Sequence, residues 1–507
     1  MKYIPVIGME IHVELKTKSK MFCACRNDLA LGKEANTDIC PVCTGQPGTL
    51  PVPNQEAIKF VQLAGLALNC HLNEKSKFDR KNYFYPDIPK GYQISQYDQP
   101  LCQNGVLEIA VDKTLTPALS RRARGNNKVI KKIGITRIHL EEDTGKSLHP
   151  KNTDYSLIDF NRSGVPLMEL VTEPDLENGK QARLFCQKLQ QIFRYLNISD
   201  ANMEKGQMRC EVNISLHKKG ADKLSGTKVE VKNINSFKFV EKAIDYEIKR
   251  QTEELEKSKK IIQETRGFDS VRNITFSQRS KESAHDYRYF PEPDIPPLEF
   301  GEEYFNELKQ RLPEMPEIKK KRLVEEYNIS PENAEVIVSD KYLAEYFENV
   351  VSEIKDKLKC REFEIEEAKC LKLSANYIVS ELQKHLLKNN ATVKDIKITP
   401  ENYAELVAII ASGKINSSAA QTVLEEMYRT GGDPSQIIEE KGLLQMDDED
   451  ELDKIVEEVL ARNAKSAADY QAGKKNALKF LIGQVMSATK GRANPQAALE
   501  LLKKKIG

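Results

Sequence analysis

Carboxylate and histidine side chains recur in this chain where polar residues alternate with apolar ones. The sets are Glu10 with His12 and Glu14, then His139 with Glu141, Glu142 and Asp143, and the single residues Glu169 and Glu211. Glu169 lies in the apolar run 166–171, where a lone carboxylate is costly to bury unless a cation pairs with it. Several oxygen ligands with an imidazole suit Mg²⁺ or Mn²⁺, especially where substrate phosphates complete the coordination shell. The sequence therefore indicates a site for a hard cation; for each residue alone, an ordinary salt-bridged carboxylate is the alternative.

A second candidate metal site consists of cysteines. Four of the ten cysteines form one cluster, Cys23, Cys25, Cys40 and Cys43, with fourteen residues between the two pairs. Four thiolates in two close pairs predict a tetrahedral Zn²⁺ site, and a structural one because all four positions are filled. Free thiols are the alternative. The scattered remaining cysteines fit core positions in a protein of the reducing cytosol.

The stretch 78–96 combines aromatic rings and cationic side chains with prolines. Prolines fix an extended or turned backbone, so the rings and the cations Arg80, Lys81 and Lys90 would be held in place. Such a stretch favours the wall of a site for a polar, anionic substrate, and a packed loop is the alternative. Lys146 follows Gly145 as in a phosphate-binding P-loop, but the glycine that this motif requires at position 140 is absent.

Charge and hydropathy limit the possible partners. Charged residues make up 30% of the 507 residues, yet the net charge is +1, so a nucleic acid must be bound by local patches. The C-terminal tail offers one such patch, with solvated helix faces as the alternative: Lys474, Lys475, Lys479, Lys490 and Arg492. No apolar run reaches the roughly 18 residues of a membrane span, and no signal-peptide pattern is present. We therefore expect a cytoplasmic protein that does not cross a membrane.

Two predicted strands would position the first set of carboxylates. Apolar and polar residues alternate over 7–15 and again over 209–216, as in half-buried strands. On the first strand this periodicity places Glu10, His12 and Glu14 on one face.

Helical patterns dominate the rest of the chain. Apolar residues at helical spacing predict helices near 185–196 and from about 239 to 260. The proline-rich segment 289–297 indicates a boundary, beyond which almost only helical patterns follow. There, Ser417 is expected to cap one helix and Asp433 the next.

Long blocks of this sequence closely resemble the GatB family, the B subunits of the bacterial aspartyl/glutamyl-tRNA amidotransferases. The blocks are collinear and lie at 80–87, 89–96, 139–143, 159–169, 230–237, 263–266 and 286–294, with weaker ones at 483–484 and 491–495. The resemblance covers effectively the whole chain. It implies an α+β protein with a mixed-sheet, cradle-shaped catalytic domain at 1–296, carrying a zinc-binding insertion at about 22–44. An all-α domain at 297–400 and an all-α C-terminal tail domain at 401–507 would follow.

The resemblance also implies an activity. ATP would phosphorylate the side-chain carboxylate of Glu-tRNA(Gln) or Asp-tRNA(Asn), and ammonia would then displace phosphate. This chain has no Ser-cisSer-Lys amidase signature, so glutamine hydrolysis would come from a separate amidase (glutaminase) subunit, with a small third subunit completing a heterotrimer. A non-catalytic tRNA-binding scaffold and an unrelated ATP-dependent amide ligase are the alternatives.

The family's metal residues carry over onto matching positions, and the other roles given below are hypotheses for this chain. Mg²⁺ would be held by His12, Glu142 and Glu169, with Glu10 and Glu211 as ligands through water. Lys81 and Lys90 would bind phosphate as further catalytic residues. Tyr83, Tyr85 and Lys81 would line an ammonia tunnel, and the tail cations at 474, 475, 479, 490 and 492 would contact tRNA.

Overall fold

The strand predicted at residues 7–15 lies at the centre of a nine-stranded sheet in the computed structural model. It spans Tyr3–Glu14, and its alternate residues Ile7, Ile11 and Val13 are completely buried, as the periodicity predicts. The parts of the chain that the structure describes are residues 2–28, 33–112, 128–280, 286–360, 365–445, 449–489 and 492–506.

The strands are short except for those that form the middle of the large sheet. In chain order they are β1 (Tyr3–Glu14), β2 (His71–Leu72), β3 (Lys75–Ser76), β4 (Asp79–Asn82), β5 (Tyr92–Ser95), β6 (Cys102–Asp112), β7 (Lys128–Glu142), β8 (Lys146–Leu148), β9 (Leu157–Asp159), β10 (Pro166–Thr172), β11 (Met208–Lys218), β12 (Val229–Ile234), β13 (Glu264–Asp269), β14 (Ile274–Ser280), β15 (Phe290–Pro291) and β16 (Leu298–Glu299). The large sheet has the order β14-β13-β12-β11-β1-β10-β7-β6-β2, and β15, β4 and β5 form a second, three-stranded sheet. Within the large sheet β12 and β13 run parallel, and the other described pairs are antiparallel.

Three helices pack against the large sheet, and the remaining helices follow the last strand in the chain. In chain order the helices are α1 (Gln55–Ala67), α2 (Gly179–Tyr195), α3 (Phe237–Glu256), α4 (Glu302–Gln310), α5 (Pro316–Tyr327), α6 (Pro331–Ile337), α7 (Lys341–Lys359), α8 (Glu367–Tyr377), α9 (Gln383–Lys388), α10 (Pro400–Ala411), α11 (Ser417–Thr430), α12 (Pro434–Lys441), α13 (Glu449–Arg462), α14 (Ala464–Gln471), α15 (Lys475–Ala488) and α16 (Pro495–Ile506). A π-helical turn at Ile378–Leu382 and a 3₁₀ turn at Val393–Asp395 complete the set. The mixed sheet followed by helices confirms the predicted α+β class.

Helices α1, α2 and α3 pack on one face of the large sheet and bury its apolar residues. Phe185 and Phe193 of α2 are completely buried there, and each such burial contributes roughly 1.5–3 kcal/mol. Since strand residues alternate between faces, the polar residues of β1, β7, β10 and β11 point to the other face. The sheet thus separates an apolar core from a polar surface.

The chain divides into two compact units, Met1–Met315 and Pro316–Gly507. Among its described residues the second unit contains two buried clusters, one within 323–438 and one within 452–506. Because α10 packs against α7 and α8, residues just beyond 400 share the first of these clusters. The predicted boundaries at 296 and 400 stay predictions.

Two cap predictions have different outcomes in the second unit. Asp433 accepts a hydrogen bond from the backbone N–H of Gln436, as predicted for a residue that caps α12. Asn416, and not Ser417, caps α11, because its side-chain oxygen reaches the N–H groups of Ser418 and Ala419. No helix within the described ranges is both long and apolar enough to cross a membrane.

Candidate functional site

Three neighbouring strands place His12, Glu169 and His139 in one row across the polar face of the sheet. His12 of β1 lies opposite Glu169 of β10, and Glu169 lies opposite His139 of β7. Residues directly opposite in a ladder have neighbouring side chains on the same face. The Oε2 atom of Glu169 lies 3.3 Å from Nε2 of His12 and 3.2 Å from Nε2 of His139. The lone carboxylate of the apolar run is therefore paired with two imidazoles.

Glu141 joins this row because it lies two residues beyond His139 on β7. Its Oε1 atom lies 3.8 Å from Nε2 of His12, and its Oε2 atom lies 3.7 Å from Nε2 of His139. Ser95 donates a hydrogen bond of 3.0 Å to the same Oε2 atom. Glu10 closes the other side, with its Oε1 atom 3.9 Å from Nε2 of His12. We call these five residues the carboxylate–histidine cluster: Glu10, His12, His139, Glu141 and Glu169.

The cluster offers a suitable set of ligands for a hard divalent cation. The ligand atoms of Glu10, His12 and Glu169 lie within 4.8 Å of one another, as do those of His139, Glu141 and Glu169. The set is rich in carboxylate oxygens and also supplies imidazole nitrogen, a combination that suits Mg²⁺ or Mn²⁺. The donor chemistry therefore fits the predicted cation.

The charges of the cluster perturb one another. Burial lowers the pKa of His12, but its hydrogen bond to Glu169 and the nearby carboxylates outweigh burial and raise that pKa to about 9. For His139, burial is likewise outweighed by Glu169 and Glu141, and its pKa rises to about 9. The two imidazoles in turn hold the pKa of Glu169 well below its usual value in spite of burial. Burial and the charge of Glu169 raise the pKa of Glu10 to about 7. Without a metal, imidazolium groups thus balance the carboxylates, and a cation that binds must displace their protons.

Glu211 borders the cluster without facing His12. It lies opposite Glu10 in the pairing of β1 with β11, and the ligand oxygens of Glu10, Glu211 and Glu230 lie within 4.8 Å of one another. Lys232 already engages this group, with Nζ 2.8 Å from Glu211 and 3.5 Å from Glu230. The role of Glu211 as a ligand through water stays a prediction.

Glu142 does not belong to the carboxylate–histidine cluster. As the residue after Glu141, it points to the opposite face of β7. There its Oε1 atom accepts a hydrogen bond of 2.9 Å from the backbone N–H of Ile94 and pairs with Nζ of Lys90. The strand alternation therefore brings Glu141, and not Glu142, next to His12 and Glu169, and the role of Glu142 as a ligand stays a prediction.

Lys81 faces the cluster from strand β4. Its Nζ atom lies 5.1 Å from the ring centroid of Tyr287 and 5.8 Å from that of Tyr83, distances typical of cation–π contacts. Burial lowers the pKa of Lys81, but the negative charges of Glu141 and Glu169 outweigh burial and hold the pKa above its usual value. Lys81 therefore adds a fixed positive charge to the site.

The two tyrosines predicted to line a tunnel differ in their environments. Tyr83 donates a hydrogen bond of 2.9 Å to the side-chain oxygen of Gln93, and its ring meets that of Tyr85 edge to face at 6.1 Å. The side chain of Tyr85 is 54% exposed. The contact with Lys81 brings Tyr83 next to the cluster, and the tunnel role of both rings stays a prediction.

A cavity of about 210 Å³ lies beside the Lys90–Glu142 pair. Its polar lining includes Cys23, Cys43, Arg80, Lys90, Tyr92, Glu142 and Asp294. His12 and Glu169 do not line it. The cavity therefore connects the predicted cysteine site with the ion pair on the far side of β7, and not with the carboxylate–histidine cluster.

The four predicted cysteines come together. Their sulfur atoms lie within 4.8 Å of one another, as binding of one metal by four thiolates requires. The sulfur of Cys43 accepts hydrogen bonds from the thiol of Cys23 and from the backbone N–H of Cys40. Together these bonds outweigh burial and lower the pKa of Cys43 to about 5. Burial and the neighbouring thiols raise the pKa of Cys25 to about 11. The thiol set fits a soft divalent metal such as zinc.

Those predicted tail cations that the structure describes lie in the second compact unit, within α15 or beside it. Lys474 pairs with Asp469 at 3.0 Å, Lys479 is exposed, and Arg492 donates to the carbonyl of Leu444. The side chain of Lys475 and the whole of Lys490 lie outside the described residues.

Sequence reasoning missed three features of the site. His139 and Glu141 were among the candidate residues, but the ligand set carried over from the family omitted them, although strand parity already separates them from the apolar positions Ile138 and Leu140. Sequence reasoning also missed the buried Lys20, for which a lysine three residues before the first cysteine was the only signal.

Comparison with known proteins gives a consistent result over both units. A family model described as the GatB/GatE catalytic domain matches residues 5–306, and a model described as the GatB domain matches residues 345–506. A protein of Carboxydothermus hydrogenoformans, named as the B subunit of an aspartyl/glutamyl-tRNA(Asn/Gln) amidotransferase, is 46% identical over 508 residues, which cover 100% of this chain and 99% of the relative. Proteins of the same name from Persephonella marina and Dehalococcoides mccartyi are each 47% identical; the first alignment covers 99% of both chains, and the second covers 100% of this chain and 99% of the relative.

Proposed function

The chain belongs to the GatB family, and from this membership we propose that it is the kinase and transamidase subunit of a tRNA-dependent amidotransferase. It would use ATP to phosphorylate the side-chain carboxylate of Glu-tRNA(Gln) or Asp-tRNA(Asn) and would aminate the acyl phosphate to Gln-tRNA(Gln) or Asn-tRNA(Asn). The amidase subunit would release the ammonia from glutamine, and the small third subunit would complete the heterotrimer. The carboxylate–histidine cluster is the observation that carries this proposal.

The cluster would hold Mg²⁺ or Mn²⁺ through His12, Glu141 and Glu169, with Glu10 and His139 beside them. When bound, such a cation neutralises phosphate oxygens during phosphoryl transfer. The two imidazoles would lose their protons as the cation binds, and Ser95 would keep Glu141 oriented through its hydrogen bond.

Lys81 would bind the transferring phosphoryl group. Its ammonium group is fixed in its charged form beside Glu141 and is held between two tyrosine rings. In the first step an oxygen of the substrate carboxylate forms a bond to the γ-phosphorus of ATP, and ADP leaves. The charge that develops on the phosphoryl oxygens can be stabilised by Lys81 without rearrangement.

The Lys90–Glu142 pair would serve the second step. Ammonia attacks the carbonyl carbon of the acyl phosphate, phosphate leaves, and the surplus proton must be taken up. Ammonia reacts only when it is not protonated, so a carboxylate such as Glu142 on its path can accept the proton of ammonium. The cavity beside Lys90 and Glu142 is the candidate first part of the path, and Tyr83, which contacts Lys81, would line the remaining part toward the cluster.

Two further elements complete the proposed enzyme. Cys23, Cys25, Cys40 and Cys43 would bind a structural zinc ion, because four protein ligands leave no open coordination position. The exposed cations of the tail, Lys479 among them, would contact tRNA phosphates.

The test is ATP hydrolysis that depends on Glu-tRNA in the reconstituted heterotrimer. Glu169→Gln keeps the shape of the side chain but removes the charge that pairs with both imidazoles, and we expect at least a hundredfold loss of ADP formation. Glu173→Gln is the matched control, because Glu173 lies four residues further along and is exposed. If hydrolysis persists unchanged in Glu169→Gln, the kinase site lies elsewhere. If the wild-type complex shows no hydrolysis, the chain is better explained as a non-catalytic tRNA-binding scaffold.

A further inference from the structure

A lysine is completely buried next to the four cysteines. Lys20 has no exposed surface, and it is one of the largest fully buried side chains of the chain. Within the described ranges no carboxylate forms an ion pair with it. Lysine is almost never fully buried unless it is paired, because removing an ammonium group from water is costly. The positive charge of Lys20 therefore requires a negative partner of another kind.

The contacts of Lys20 identify that partner. Its Nζ atom donates hydrogen bonds to the backbone carbonyls of Asp38 at 2.8 Å and Phe160 at 3.4 Å, and its third contact is Sγ of Cys43 at 3.7 Å. The backbone N–H of Lys20 also donates to the carbonyl of Cys25 at 2.9 Å. Cys43 is the sole group among these contacts that can carry a negative charge.

A four-thiolate metal site is stabilised by such a positive neighbour. Four thiolates carry more negative charge than one divalent cation neutralises, and at Cys43 the surplus would be buried. Cys43 is also the most buried of the four cysteines, at 3% exposure. The ammonium group of Lys20 would therefore offset one of the two surplus negative charges of the metal–thiolate group.

We propose that Lys20 is the built-in counter-charge of the four-cysteine metal site, donating a hydrogen bond to the metal-bound sulfur of Cys43. This inference rests on the structural zinc ion proposed above. Lys20 is a positioning residue and not a catalytic one. Through Phe160 it also ties the cysteine segment to the loop between β9 and β10, which leads into the strand that carries Glu169.

Zinc affinity tests the proposal in the full heterotrimer. We would titrate Zn²⁺ against a chromophoric chelator with the wild type, Lys20→Met, and Lys20→Gln, which keeps a hydrogen-bond donor without the charge. Outer-shell partners of metal ligands typically contribute 10–100-fold to affinity, and we expect a loss of about this size in both variants. Lys33→Gln is the matched control, because Lys33 lies in the same segment but pairs with the carboxylates of Asp28 and Asp38. An affinity of Lys20→Gln equal to that of the wild type would overturn the proposal.

A spectroscopic measurement separates a contact with the thiolate from a general effect on folding. With Co²⁺ in place of zinc, a proton donor on Cys43 stabilises the sulfur electrons and raises the energy of the thiolate-to-cobalt absorption. We expect this band to move to longer wavelength in Lys20→Met, which has no donor, and to stay in place in Lys33→Gln. An unmoved band in Lys20→Met would contradict the contact.

The unaltered protein provides a readout that does not require a folded variant. Acetylation of Lys20, followed by mass spectrometry, should increase at least tenfold when zinc is removed, and that of the exposed Lys16 should not change. Equal reactivity of Lys20 with and without zinc would overturn the proposal. If the wild type binds no zinc at all, the proposed zinc site itself is wrong, an outcome distinct from the failure of Lys20 alone.

Discussion

Glu141 and Glu142 are adjacent carboxylates with opposite surroundings, and exchanging each for glutamine separates their roles. Glu141 lies between His12 and His139, whereas Glu142 pairs with Lys90 on the other face of β7. We expect Glu141→Gln to weaken the binding of Mn²⁺ and Glu142→Gln to leave it nearly unchanged. The two variants have the same change of charge at neighbouring positions, so each is the control of the other.

The size of the effect follows from two opposing contributions. Unit charges about 4 Å apart interact by about 4 kcal/mol at an effective dielectric constant of 20, so loss of the Glu141 carboxylate removes a large attraction for a cation. The same loss lowers the pKa of His12 and His139 from about 9, so fewer protons compete with the cation. We expect a net loss of about 2 kcal/mol, or about thirtyfold in affinity.

The assay is Mn²⁺ binding to the heterotrimer without nucleotide, measured from the electron paramagnetic resonance of free Mn²⁺. The Glu142→Gln complex should bind within about threefold of the wild type and should still form ADP in the presence of Glu-tRNA. It should, however, form amide product slowly, because Glu142 of the Lys90–Glu142 pair can no longer accept the proton of ammonium. Glu141→Gln should lose both activities.

One result would refute the reasoning. If Glu142→Gln weakened Mn²⁺ binding as strongly as Glu141→Gln, the cation would not lie on the face of the sheet that carries His12 and Glu169. The strand alternation of β7 would then be a poor guide to the site.

Three other perturbations give independent checks. Without metal, the raised pKa of His139 stabilises the fold fully below pH 6.5, and this stabilisation, about 3 kcal/mol, is lost as the pH rises through about 9. The free energies of unfolding of the wild type and of His139→Asn, measured in urea, should therefore become equal toward high pH. Glu292→Gln breaks a buried ion pair, with both distances to Arg80 at 2.7 Å, and should lower the free energy of unfolding of the first unit by about 3 kcal/mol. Joint replacement of Lys479 and Arg492 by glutamine should weaken tRNA binding and reduce its salt dependence by about one unit of slope per lost phosphate contact.

Each of these expectations can fail in a specific way. A constant stability difference between wild type and His139→Asn across that pH range would mean that His139 is not an imidazolium in the metal-free cluster. A loss below about 1 kcal/mol in Glu292→Gln would mean that solvent reaches the pair. An unchanged salt dependence after the tail replacements would assign tRNA binding to another surface.

Much of the fold could be predicted from sequence periodicity. Alternation predicted β1 and β11, apolar spacing predicted α2 and α3, and the helical second half followed from the lack of strand patterns. Asp433 before a proline identified a helix start, since both residue types suit their positions irrespective of tertiary contacts. The Asn416 cap was missed because either of two adjacent polar residues could serve, and the backbone path decides between them.

The candidate site was predicted in part. Residue type and spacing grouped the four cysteines, and the structure brings them together. For His12, Glu10 and Glu169 the residue types indicated a cation site, but the family resemblance supplied the set. Neither source showed which of Glu141 and Glu142 lies beside His12, since resemblance gives a position in an alignment but not the direction of a side chain. The direction follows from the pairing of β7 with β10, which places His139 opposite Glu169.

The sequence by itself determined which chemical groups this protein possesses: hard oxygen ligands with imidazoles, a four-thiolate set, and cations among aromatic rings. The tertiary structure alone decided which of them meet. Strand register is a long-range property, so it brings Glu169 between two histidines from distant parts of the chain. Burial is equally non-local: Lys20 resembles any surface lysine in the sequence, and only packing against Cys43 and Phe160 turns it into a charge that needs a partner.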